Sequence, residues 1–329
     1  MEDSAFVASG PAELDAHEIG IGAHTRAGVL YGIAAYGAWG FFPVYFKAVA
    51  SVSPLEVLSH RVIWSLAFLL LLTLAGRTWR TAIQAVRSWR TALTLGATTM
   101  LIAGNWLVFI WAVANDHLLQ ASLGYFINPL VNVLLGFAFL GERLRRWQMF
   151  SVLLAGAGVA YLTVVYHEPP GIALFLAFSF AFYGLLRKIA KVDALSGLTV
   201  ETGLLSPLAL AFLIHEILAG RAVFASGSLR MNVLLISAGV ITAVPLLWFA
   251  AAARRLRLAT LGFIQYLSPT GQFLLAVIAY HEPFTTAHIV TFACIWTALA
   301  IYSVDAASYA RATRNGVASF AEISPREPL

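Results

Sequence analysis

The chain has 329 residues, 60% of them hydrophobic and only 11% charged, with a mean hydropathy of +0.80 and a formal charge of +5. Ordinary soluble domains are about 45–50% apolar, so this composition excludes a water-soluble globular protein and points to a chain that lies almost entirely in a bilayer. The basic residues are scattered through short gaps between apolar runs, which excludes a nucleic-acid-binding face; the single cysteine, Cys294, excludes a disulfide framework and a Cys-rich metal site.

Residues 1–27 carry Glu2, Asp3, Glu13, Asp15 and Glu18, the wrong charge for a secretory signal peptide, and read as a polar, disordered cytoplasmic tail. A hydrocarbon core of ~30 Å needs about 20 mostly apolar residues per crossing. Ten runs meet that need, at 28–49, 56–75, 92–113, 118–140, 147–166, 170–189, 197–219, 231–253, 258–280 and 286–304, and a second cytoplasmic tail follows at 306–329. Lipid offers no partner to exposed backbone, so spans of this length are helices and the fold class is all-α, a polytopic membrane protein.

Charge alternates from gap to gap. Arg77, Arg80, Arg87 and Arg90 follow the second span, Arg143, Arg145 and Arg146 the fourth, Arg187, Lys188 and Lys191 the sixth, and Arg254, Arg255 and Arg257 the eighth. With Arg26, Arg311, Arg314 and Arg326, 17 of the 21 Lys and Arg fall on one side; Lys47, Arg221 and Arg230 fall in or beside gaps on the other, and Arg61 lies within a span. The positive-inside rule then puts both termini in the cytoplasm, which requires an even number of spans.

The chain also repeats itself. Ala121-Ser-Leu-Gly-Tyr-Phe-Ile-Asn-Pro129 returns as Ala259-Thr-Leu-Gly-Phe-Ile-Gln-Tyr-Leu-Ser-Pro269, at an offset of 138 residues before a two-residue insertion and 140 after it. Weaker matches extend the unit at offsets of 144 to 145: Trp39-Gly40 with Tyr183-Gly184, Lys47 with Lys191, and Glu56 with Glu201. The unit holds five spans, an odd number, so its copies at 28–166 and 170–305 are expected to be inverted, with a central site on their pseudo-two-fold axis.

Within the repeat, Tyr125, Asn128 and Asn132 are spaced i, i+3, i+7 on one helix face, and the offset of 140 carries them to Gln265, Ser268 and Gln272. Each stripe adjoins a proline, Pro129 or Pro269, expected to kink its helix and free a carbonyl. These residues are candidate substrate ligands, with plain interhelical hydrogen bonding as the competing reading. Asn105 with Trp106, and Trp39 with Tyr36, are further candidates for the site wall; Trp79, Trp89 and Trp147 flank spans and read as interface-belt residues. His60 and Arg61 lie roughly 7 Å into the second span at 1.5 Å per residue, and Glu201 lies at similar depth in the opposite sense. They are candidate gating or coupling groups, with protons as the candidate ion, while snorkelling or a pair with Glu56 would give Arg61 a structural role. Glu142 and Glu282 mark matching ends of the repeat and read as loop anchors.

No HExxH, P-loop or GxSxG pattern is present, nor a mid-membrane Asp pair, so neither an enzyme nor a cofactor or metal site is expected, and any pumping draws on a gradient. The series His60-Arg61-Val-Ile-Trp64, Gly104-Asn-Trp106, Ala121 to Asn132 and Leu256-Arg-Leu-Ala-Thr-Leu-Gly262 resembles the RarD-type permeases of the EamA family, in the drug/metabolite transporter superfamily. The resemblance covers roughly residues 27–305. It implies a bacterial inner-membrane permease of ten helices in two EamA repeats, in a group often labelled by chloramphenicol sensitivity, a phenotype that names no physiological substrate. The expected function is secondary transport of a small organic metabolite or drug-like solute by alternating access. Its alternative is a membrane sensor or assembly factor that kept the fold without transporting. The uncharged lining suits a neutral or zwitterionic amphipathic solute.

Overall fold

Because hydrocarbon leaves unpaired backbone groups several kcal/mol worse off, apolar runs of this length coil into helices. The computed structural model describes residues 11–76, 79–141, 144–190, 192–224, 228–253, 255–256, 260–261 and 264–323, with described side chains lying within 25–308, and it is helical without strands among them. The helices are α1 (Pro11–Ala48), α2 (Pro54–Ala75), a short α3 (Trp79–Arg87), α4 (Trp89–Ala114), α5 (Leu118–Leu140), α6 (Arg146–Tyr166), α7 (Gly171–Ala190), α8 (Ala194–Leu218), α9 (Leu229–Ala253), α10 (Leu267–Leu274), which runs into a π turn at Leu275–Ala279, and α11 (Thr286–Ile323). Eight of the described segments are long and apolar enough to cross a bilayer; two shorter apolar helices, Gly171–Arg187 and Leu267–Ala279, stand where the sixth and ninth spans were expected. Leu71, Leu93, Val164, Leu208, Leu218 and Leu229 are 62–82% exposed on the outside of the bundle, a surface that suits lipid and not water. The chain is a multi-pass membrane protein.

Local chemistry sets the ends. Ser53 Oγ accepts the Glu56 N–H at 3.2 Å and Pro54 fills the first helical position of α2, where a missing N–H costs nothing. Asp193 caps α8 by accepting the Ser196 N–H at 2.9 Å, and Gly141 closes α5 at φ 66°, a conformation glycine adopts freely.

Four expectations change. The helix of α1 begins at Pro11, inside the segment read as a disordered tail, and α11 runs to Ile323, well past residue 304. The bilayer limits only the apolar length, while Pro11 at a first helical position and the Ala-rich stretch after Asp305 favour continuing the helix into water. The ninth span is not one helix: Gln265 and Tyr266 form a turn, and α10 begins after it. Pro129 lies inside α5 as expected, but Pro269 sits in the first turn of α10, so it marks a helix start instead of a kink within one. Arg77, Glu142, Arg143, Lys191, Arg254, Arg257 and Arg326 lie outside the described residues, as do the side chains of Lys188, Arg311 and Arg314.

Helices meet where glycine removes the side chain between them. Gly124 on α5 lies against α7, where an added Cβ would stand 2.6 Å from the Ala173 carbonyl oxygen. Gly40 on α1 and Gly271 on α10 face each other, an added Cβ on Gly271 reaching 3.2 Å from Gly40 Cα. Gly239 on α9 abuts the backbone at Trp64 and Ser65 of α2, and Thr291 of α11 donates to the Gly158 carbonyl of α6 at 3.1 Å. Gly124→Leu is therefore expected to destabilise the protein by about 1–3 kcal/mol or more through overpacking, whereas Gly156→Ala, whose added carbon meets nothing within 4 Å, is expected to be neutral. Thermal unfolding of the purified variants in detergent checks both, and equal melting temperatures would show that the α5–α7 contact is looser than described.

Candidate transport site

Polar residues in this bundle have only one another and the backbone of neighbouring helices to bond to, so the site is a set of bonds between helices. On α4, Asn105 is 1% exposed; its Nδ2 donates to the Leu176 carbonyl at 3.1 Å and to Ser179 Oγ at 2.9 Å, both on α7. Its Oδ1 accepts from the Tyr125 hydroxyl of α5 at 3.2 Å. The Tyr125 ring is held edge-on between Phe109 and Phe180. One turn further along α5, Asn128 Nδ2 donates to the Ala177 carbonyl at 2.9 Å, and its Oδ1 accepts from Asn132 Nδ2 at 3.1 Å. Asn132 itself is exposed.

The second stripe has the same internal arrangement. Gln272 Nε2 donates to Ser268 Oγ at 3.3 Å, four residues back as in the Asn132–Asn128 pair, and also to the Trp39 carbonyl of α1 at 3.3 Å. Gln272 is 3% exposed, and its Oε1 is buried with no hydrogen bond among the described residues. Gln265 is half-buried in the turn before α10. Trp39 packs on Tyr36 at 5.1 Å and on Phe249 at 5.8 Å, an aromatic group at the junction of α1 and α9. The structure thus joins Tyr125 to Asn105, Asn128 to Asn132 and Gln272 to Ser268. Among the described residues no hydrogen bond links one stripe to the other, although α5 and α10 pack together.

The charged candidates separate. Glu201 on α8 is 2% exposed and accepts two hydrogen bonds, from Thr98 Oγ1 of α4 at 2.7 Å and from the Tyr183 hydroxyl of α7 at 3.1 Å, beside an ion pair with Arg187 Nε at 3.7 Å. Gly197 makes room for the Arg187 guanidinium, whose Nη2 also donates to the Asp193 carbonyl at 3.1 Å. His60 lies against Phe224, with its Nδ1 accepting from Trp64 Nε1 at 3.3 Å, which assigns the ring proton to a buried Nε2 that makes no hydrogen bond among the described residues. Arg61 neither snorkels nor pairs with Glu56. Its guanidinium carbon lies 4.0 Å from the Trp106 ring centroid and its Nε donates to Thr242 Oγ1 of α9 at 2.9 Å. Glu56 instead accepts the N–H groups of Val223 and Phe224 at 2.9 and 3.3 Å, so its carboxylate is committed to loop backbone donors.

Sequence reasoning missed Ser179, Thr98, Tyr183, Arg187 and Thr242. Each is an ordinary polar residue on its own helix, and partners 14 to 181 residues distant leave no local spacing to read. Glu282 also gained a definite role: its two carboxylate oxygens accept the Leu118 and Leu119 N–H groups, each at 2.7 Å, at the start of α5. A buried carboxylate there satisfies orphan donors and faces the positive end of the helix dipole. Glu282→Ala is expected to cost about 2–3 kcal/mol, with Glu282→Gln recovering part of it, in unfolding measurements on purified protein. Wild-type stability in Glu282→Ala would show that α5 does not depend on this cap.

Comparison with known proteins adds the following. A model of the EamA-like transporter family matches residues 26–164. An uncharacterized transporter of Vibrio cholerae is 50% identical over 289 residues, 88% of this chain and 96% of its own. Protein RarD of Escherichia coli is 50% identical over 282 residues, covering 86% and 95%. An uncharacterized transporter of Bacillus subtilis is 42% identical over 296 residues, covering 89% and 99%. A solved crystal structure that shares 21% identity superposes with a TM-score of 0.54 over 83% of this chain and 96% of that one, a likeness of fold.

Proposed function

The chain belongs to the EamA-like transporter family, as a RarD-type member, and we propose that it moves a small organic solute across the bacterial inner membrane by alternating access. It is a membrane transporter. The observation that carries the alternating-access reading is a set of helix contacts that survives exchange of the two halves. When α1, α2, α4, α5 and α6 are matched with α7, α8, α9, α10 and α11, the contact of α5 with α7 becomes that of α10 with α1, α4 with α7 becomes α9 with α1, and α2 with α9 becomes α8 with α4; all six contacts occur. The contacts α2 with α8, α5 with α10 and α6 with α11 map onto themselves and also occur. Such a pattern supports inverted repeats at 28–166 and 170–305 and a central path between them, and the charge count supports cytoplasmic termini.

The amides follow the same exchange of helices though not of residues: Asn128 ties α5 to α7 through the Ala177 carbonyl, and Gln272, the counterpart of Asn132, ties α10 to α1 through the Trp39 carbonyl. Interhelical bonds of this kind contribute only about 0.6 kcal/mol on average in a membrane, close to thermal energy, so one set can loosen while the other holds. In this reading Tyr125, Asn128, Asn132, Gln265, Ser268 and Gln272 line the path, Asn105 and Trp39 shape it, and His60 and Arg61 act at the gate. Glu201 is the carboxylate that takes up the coupling proton, which would free it from Arg187. No enzymatic activity or cofactor enters this scheme.

Metabolite profiling of cells with and without the gene identifies candidate solutes, and flux in proteoliposomes tests them. Asn128→Ala combined with Ser268→Ala is expected to lower flux by roughly ten-fold or more, the worth of about 1.4 kcal/mol in the path, with folded protein unchanged. Wild-type flux in that variant would remove these residues from the site, and an inert wild-type protein would favour a sensor or assembly factor. In Glu201→Gln, flux is expected to persist downhill but to stop responding to an imposed proton gradient; an undiminished response would move the coupling site elsewhere.

A further inference from the structure

Arg61 is 5% exposed, and its charge is unbalanced among the described residues. A charged side chain within a membrane-spanning helix costs at least ~2.5–3.5 kcal/mol on insertion scales, so such groups pair with an opposite charge or face a polar path. Among the described residues the buried carboxylates are Glu56, Glu201 and Glu282, and all are committed elsewhere: Glu56 to the backbone at Val223 and Phe224, Glu201 to Thr98, Tyr183 and Arg187, and Glu282 to the start of α5.

Among the described residues the groups around the cation are neutral. The Trp106 face lies at 4.0 Å, Phe46 at 5.7 Å and Phe42 at 5.9 Å, and Thr242 Oγ1 accepts the hydrogen bond from Nε–H. Tyr45 and Tyr125 are near enough to feel its field, but the Tyr45 hydroxyl proton goes to the Leu234 carbonyl and the Tyr125 proton to Asn105. A guanidinium has five N–H donors in a fixed planar fork, and Nε–H is the one that makes a hydrogen bond among the described residues. The terminal nitrogens therefore keep the planar, two-pronged donor pattern that matches a carboxylate. α1, α4 and α9 bring residues to Arg61 of α2, and Tyr125 of the polar stripe on α5 lies within reach of its charge.

We propose that Arg61 binds the carboxylate of the transported solute, and that the solute is a small organic acid or zwitterion with one carboxylate on an apolar body. The inference rests on the transport reading for the word transported. Trp106 and Thr242 hold the guanidinium plane, and Phe42, Phe46 and Tyr125 present the apolar surface against which the rest of the solute lies. The solute class thereby narrows from neutral or zwitterionic to carboxylate-bearing, because a neutral molecule would leave the buried charge as unbalanced as before. Arg61→Lys should weaken recognition, since a point charge on a flexible stem cannot reproduce the two-pronged contact.

Binding can be read without transport. The purified protein is melted in detergent with acetate, hexanoate or phenylacetate, each matched at equal concentration by its neutral primary amide. The expected result is a rise in melting temperature with at least one carboxylate and none with its amide, a difference that shrinks in Arg61→Lys and vanishes in Arg61→Gln. Equal responses to acid and amide in the wild type overturn the proposal, as does a carboxylate-specific rise that persists in Arg61→Gln. The wild-type contrast decides the matter even if Arg61→Gln fails to fold. A carboxylate-specific rise in a protein that moves no solute would sink the transport reading and leave the anion site standing. Flux confined to neutral solutes, with no carboxylate-specific rise, would do the opposite.

Discussion

Hydrocarbon accepts and donates no hydrogen bonds, so a polar group placed inside this bundle must be answered by another helix or remain unanswered at a cost of several kcal/mol. That constraint sorts the interior. Glu56, Glu201, Glu282, Asn105 and Asn128 each reach a partner on a different element, from 49 to 167 residues away for Asn128 and Glu56. Helix packing makes those meetings feasible, since Gly40, Gly124 and Gly271 bring backbones close enough for a short amide side chain to reach a neighbouring carbonyl.

Strength is distributed unevenly along the bundle, and the distribution suits a transporter. Carboxylates on backbone N–H groups, as with Glu282 at the start of α5 and Glu56 on the Val223–Phe224 loop, form charge-assisted bonds at points where a helix or loop must stay fixed. Nearer the middle, Asn128, Asn132, Ser268 and Gln272 form neutral bonds of ordinary length, which are individually weak in a membrane. Rigid ends and a yielding middle are what the proposed exchange between two arrangements of the same helices would require. The broken ninth segment adds to this: a turn at Gln265–Tyr266 followed by a short helix and a π turn places irregular backbone beside the polar stripe, where membrane proteins tolerate it only against protein or a polar path.

The sequence was informative wherever a property depends on near neighbours along the chain. Apolar run length located the helices to within a few residues at α2, α5 and α6. The pairing of Asn132 with Asn128 and of Gln272 with Ser268 follows from a four-residue spacing that was legible beforehand. Pro269 was misjudged because a proline has the same letter whether it interrupts a helix or begins one; the turn before it decides, and Gln265-Tyr266 carries no strong turn signal. For Arg61 the sequence left snorkelling or a pair with Glu56, five residues away, beside a gating role; α9 delivers Thr242 and α4 delivers Trp106 to it, and Glu56 turns to the Val223–Phe224 loop.

By itself the sequence determined that this chain is a helical membrane protein and where most of its long apolar helices run, because hydropathy is a sum over neighbouring residues. Only the tertiary structure decided which polar groups answer one another and that Arg61 meets neutral groups among the described residues. Those outcomes depend on distances between helices far apart in the chain, set by glycine contacts and competition among partners, and no local pattern of residues encodes that competition.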